Sequence, residues 1–96
     1  MPYIAKTQRP EIDNEINTLI KAVHKSTIIP ADKHLGVVNY IISRVIMGIL
    51  QPSNYGEMAS AVGTLECVKL EMYRRLIGPY EDEAILKNGD IEEYYL

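Results

Sequence analysis

The apolar residues of this chain recur at helical spacing. Ile12, Ile16, Leu19, Ile20 and Val23 fall at steps of four, three, one and three, one stripe along a helix. Asp13 suits its N-cap and Glu15 its positive first turn. Residues 7–12 are expected to form a short preceding turn, with Pro10 tolerated early. Ser26-Thr27-Ile28-Ile29-Pro30 is β-branched and ends in a breaker, so this helix fades near Lys25. A second helix is predicted from about Asp32 to Leu50. Leu35, Val37, Val38, Tyr40, Ile41, Ile42, Val45, Ile46, Met47, Ile49 and Leu50 surround it on nearly all sides, so it should be the central, buried one. Its β-branched content suits a strand, but it runs too long without a turn signal. Gln51-Pro52-Ser53-Asn54 ends this helix and caps the next.

The third helix is predicted from Ser53 or Asn54 to Ile77. Met58, Val62, Leu65, Lys69, Met72 and Leu76 make a heptad-like stripe in which Lys69 is the odd member. Gly78-Pro79 is read as its stop. A short fourth helix then begins at Pro79, with Glu81-Asp82-Glu83 at its positive end and Lys87-Asn88-Gly89 at its close. The pattern therefore predicts an all-α fold, a small bundle of three main helices plus a short C-terminal one, in a single domain over 1–96. Residues 90–96 form a tail whose Tyr94, Tyr95 and Leu96 are expected to pack on this chain or on a neighbouring one.

Composition narrows the function classes. A chain of 96 residues that is 47% hydrophobic and 24% charged is globular rather than disordered. At this size the stability margin is thin, and self-association would widen it. With no Trp and no Phe, the seven Tyr carry all the aromatic chemistry. A net charge of −3 argues against DNA binding. The charge is uneven, since residues 79–96 hold six acidic side chains and one basic, a net of −5, which leaves +2 elsewhere. The acidic segment is suited to mask a basic surface or to pair with one on a partner subunit. One Cys and two His are too few for a disulfide or a structural zinc site within one chain. The N-terminus has no apolar run of signal-peptide type. The stretch Gly36–Leu50 is short and polar for a bilayer span, so a cytoplasmic, membrane-free setting is expected.

The sequence holds no phosphate loop, nucleophile elbow or helical His pair at metal spacing. Cys67, inside the third helix, reads as a buried inert thiol. His24 and His34 flank a loop and read as surface or loop-packing residues. A magnesium-dependent nucleotide pyrophosphohydrolase needs converging carboxylates. Glu66 and Glu71 diverge around their helix, and Glu81, Asp82 and Glu83 fan outward. No cofactor and no catalytic group is expected.

The third helix carries the more informative group. Glu66, Lys69 and Tyr73 share a face, and Arg74 and Arg75 follow directly. One reading is a solvated face with ordinary salt bridges, Glu71 pairing with either Arg. The other is an anion site, in which Arg forks bind phosphate oxygens and Tyr rings stack on a base. Lys69 either extends to solvent or is drawn to Glu66, a tail carboxylate or a ligand phosphate. On the second helix, Asn39 and Ser43 either fix helix register or line a polar pocket. Tyr40 and Arg44, one turn apart, extend a stacking and phosphate-binding surface. Tyr73 and Tyr80 suit either core packing or a ligand platform.

The run Leu65-Glu66-Cys67-Val68-Lys69-Leu70-Glu71-Met72-Tyr73-Arg74-Arg75, then Pro79-Tyr80-Glu81-Asp82, then Asn88-Gly89-Asp90, resembles a family of small helical proteins of unknown function from bacteriophages and bacteria. Pro2-Tyr3-Ile4 and Asn39-Tyr40-Ile41 are similar too. The resemblance implies an all-helical fold and a phage or bacterial cytoplasmic setting, and brings no established activity. By analogy, phages encode small non-enzymatic oligomers that sequester the nucleotide signals of host immunity.

The expectation is a homo-oligomeric, non-enzymatic protein that sequesters a phosphate-bearing small molecule such as a cyclic-nucleotide immune signal. Lys69, Arg74 and Arg75 would hold phosphate with help from Arg44. Tyr40, Tyr73 or Tyr80 would stack on a base, and Asn39 would read a base edge or fix register. The competitors are a module that docks on a host or phage protein and the magnesium-dependent hydrolase.

Overall fold

Proline chemistry sets the first helix. A computed structural model describes residues 3–95 of the chain, so Pro2 and Leu96 lie outside the described residues. Helix α1 is Pro10–Lys25. Pro10 occupies the first helical position, where its missing N–H costs nothing and its fixed φ is already helical. The helix therefore starts three residues before Asp13, whose N–H instead donates to the Arg9 carbonyl at 3.0 Å. Ahead of it, a 3-10 turn, Lys6–Gln8, is closed by Gln8 Oε1 accepting the Ala5 N–H at 3.2 Å. After α1, the Ser26 hydroxyl oxygen accepts the N–H groups of Ile28 and Ile29, which turns the chain.

A second 3-10 turn, Ala31–Lys33, leads into α2, His34–Leu50. Gln51 ends it in the left-handed region, φ 45°, with its N–H bonded to the Met47 carbonyl at 3.2 Å. Helix α3, Tyr55–Met72, is capped as the sequence predicts. Asn54 Oδ1 accepts the Glu57 N–H at 2.9 Å. Glu57 Oε1 in return accepts the Ser53 N–H at 3.0 Å and the Ser53 hydroxyl at 2.8 Å.

The predicted stop at Gly78-Pro79 is not one. A π turn, Tyr73–Ile77, joins α3 to α4, Gly78–Asn88, without leaving helical backbone. Gly78 itself is right-handed helical, φ −52°, and its N–H reaches back five residues to the Tyr73 carbonyl. Proline in a helix interior lacks an N–H and crowds the carbonyl four residues earlier. Widening the turn by one residue before Pro79 accommodates that ring. The fourth helix is thus a continuation of the third. Gly89, φ 85°, ends it, and a 3-10 turn, Glu92–Tyr94, follows.

All regular structure among the described residues is helical. The chain divides into two compact units, Met1–Gln51 and Pro52–Leu96. In the first, α1 and α2 meet beside the connecting loop, where the His24 and His34 rings stand edge to face, centroids 5.7 Å apart. Val23, Ile29, Val37, Ile41 and Ile46 are half-buried. The remaining large apolar residues of α2 are exposed, so the expected fully buried central helix is not realised within this unit. A helix that is apolar all round needs neighbours on every side, and α1 and α2 make few contacts with each other. In the second unit Ala61, 5% exposed, is the one buried residue among those described. Tyr94 and Tyr95 of the tail are exposed rather than packed on this chain. With its leading turn, Ala31–Leu50 is 20 residues long with a mean hydropathy of 1.2, enough by length and composition alone to cross a membrane. The core helix of a soluble protein passes the same test.

Candidate functional site

The π turn gathers most of the candidate residues of the second unit. Upstream of it, Lys69 extends from the apolar stripe to Glu66, Nζ to Oε1 3.0 Å, with both side chains exposed. Arg75 Nη1 donates to Glu71 Oε1 at 3.1 Å, one turn back. Both are exposed helix pairs of the kind that contributes little to stability. Lys69 thus extends to solvent and pairs with Glu66 at once, and Glu71 selects Arg75 over Arg74. Among the described residues, no carboxylate pairs with Arg74.

Tyr73 opens the π turn, its N–H shared between the carbonyls of Lys69 and Leu70. Its hydroxyl donates to Glu81 Oε1 at 2.7 Å, eight residues on. That bond with Glu81, followed by the carboxylate's charge, raises the Tyr73 phenol above its ordinary pKa. An α-helix turns about 100° per residue, so residues eight apart stand roughly 80° out of line. The extra residue of the π turn removes about one such step and aligns them. Spacing rules built on threes and fours miss this pair. Its one signal in the sequence is a proline four residues after Arg75. Tyr80, 75% exposed, is presented to solvent and staples no core.

Asn39, Tyr40 and Arg44 belong to the first unit. Arg44 Nη1 donates to the Tyr40 hydroxyl at 2.9 Å, and its guanidinium carbon lies 5.7 Å from the Tyr40 ring centroid. The Ser43 hydroxyl donates to the Asn39 backbone carbonyl at 2.9 Å. Ser43 therefore satisfies itself within α2 and bridges to no other helix. Cys67 is exposed, contrary to the buried thiol expected, and α3 makes its contacts with the π turn that continues it. Among the described residues, no three His, Cys, Asp or Glu side chains stand close enough to hold a metal ion.

The structure thus defines a class: a small all-helical protein with exposed apolar helices and a π turn edged by Tyr and Arg. The family profile of a domain of unknown function (DUF6899) matches residues 1–91, and the chain belongs to that family. No curated protein and no solved structure matches it.

Proposed function

We propose that this protein is a non-enzymatic binding protein for a phosphate-bearing small molecule, a cyclic nucleotide being the first candidate. The carrying observation is Arg74, a guanidinium without a carboxylate partner among the described residues, on an exposed π turn between Tyr73 and Arg75. A planar guanidinium matches two phosphate oxygens, and a neighbouring phenol ring offers a stacking face for a base. Helices with irregular π turns often place function there. Lys69 and Arg75 already hold Glu66 and Glu71, so a ligand would compete for them and Arg74 would make first contact. The helices would form a bundle only in an assembly of chains, in the cytoplasm of a bacterial host if the gene is phage-borne.

Native mass spectrometry with cyclic di- and trinucleotides and ADP-ribose derivatives tests this reading. The expected result is uptake of intact ligand, weakened at least tenfold by Arg74→Ala with helicity unchanged. Ligand returned chemically altered would make the protein an enzyme. No uptake from the panel would overturn the reading in favour of a protein-docking module. The exposed apolar side chains of the C-terminal unit, Val62, Leu76 and Leu86 among them, favour that second reading.

A further inference from the structure

Helix α2 is about 25 Å long and carries one arginine and one histidine among its 17 residues. In an aqueous setting a helix apolar on all sides is covered on all sides. Within its own unit this one is not, for Leu35 is 86% exposed, Ile49 75%, and Tyr40 and Met47 more than half. The apolar stripe of α1 is also close to half exposed. Eight large apolar residues of α2 and four of α1 stand in water. At roughly 70–100 Å² of apolar surface each, these twelve amount to about 1,000 Å². A stable interface takes about 800 Å² from each partner.

We propose that α2 and the stripe of α1 are self-association surfaces, and that their occupant is a second copy of this chain. Together the exposed residues of the two helices carry a dimer's worth of apolar area in one unit. Their polar groups make few demands on a partner. Arg44 is taken up by Tyr40 and Ser43 by the Asn39 carbonyl, so no charge pattern on α2 selects a charged protein. An apolar face paired with itself across a two-fold axis needs none. The proposal does not depend on any small-molecule ligand.

Sedimentation equilibrium and isotope-filtered NMR on the full chain test it. The expected mass is twice that of one chain or more at micromolar concentration, with intermolecular contacts from α2 methyl groups to the unlabelled copy. Leu35→Glu with Ile49→Glu should return the mass to a single chain with α-helical content kept, since neither residue packs within its unit. Leu86→Glu on α4, 87% exposed in the wild type, should leave the mass unchanged. A wild-type monomer at 100 µM, as an order of magnitude for weak association, would overturn the proposal. So would intermolecular contacts that avoid α2, or flotation of the chain with phosphatidylcholine vesicles through this helix. The methyl contacts are read on the wild type, so the test stands even if the double variant fails to fold.

Discussion

Two exposed groups carry charge states shifted by their hydrogen bonds. Tyr73 donates to Glu81, which raises its phenol. A raised folded-state value makes the contact stabilising below the ordinary phenol pKa and lost as pH climbs through the raised one. In an absorbance titration at alkaline pH, Tyr73 should ionise above the ordinary phenol pKa. Tyr73→Phe should remove that late step, and Glu81→Ala should bring it back to the ordinary range. Glu57 shows the opposite shift. The Ser53 backbone N–H and then the Ser53 hydroxyl lower its pKa. Its contribution is present above the ordinary carboxylate value and lost as pH falls through the lowered one. NMR titration should place Glu57 below the ordinary carboxylate value, with the start of α3 fraying as it protonates. At this scale the sequence was legible where partners lie one turn apart, as for Tyr40 with Arg44 and Glu71 with Arg75. It was not legible for Tyr73 with Glu81, because that alignment exists only once the turn between them has widened.

Helix positions followed from local chemistry, and their errors have local causes. Asn54 caps α3 as its place after Pro52 suggests, and Asn54→Ala should lower thermal stability by about 1 kcal/mol. Asp13 was a good cap by type, but Pro10 had already started the helix. Gly78-Pro79 has the chemistry of a stop. Yet glycine is free to stay helical, and a π turn removes the clash that makes proline a breaker. Pro79→Ala should let the turn relax to ordinary α geometry. The measurable outcome is an ordinary Tyr73 pKa together with a helix at least as stable as before. A Tyr73 that still titrates late in Pro79→Ala would mean that the proline does not hold the widened turn.

For the whole molecule, the apolar pattern announced helices with one of them central and buried, and it did not announce where the cover for that helix comes from. Burial was the least legible property. Cys67 read as interior because a free cysteine usually is, and most of α2 because it is apolar all round, whereas burial depends on which elements stand beside them. If chains cover one another, folding and assembly are one equilibrium, and the melting temperature should rise with protein concentration. A tenfold dilution that leaves the melting temperature unmoved would separate folding from assembly.

The π turn also has a meaning in evolutionary time. It accommodates a single additional residue without breaking the helix, so it has the form of an old insertion. A relative lacking that residue would run as plain α-helix through the same place. Its far end would keep its orientation, because the π turn already absorbs the extra residue's rotation of about 100°. The counterpart of Glu81 would then follow the tyrosine by one residue fewer and still stand within about 20° of it. Alignments across residues 73–79 should therefore sort relatives by one gap, with an acceptor at position 81 on both sides of that gap.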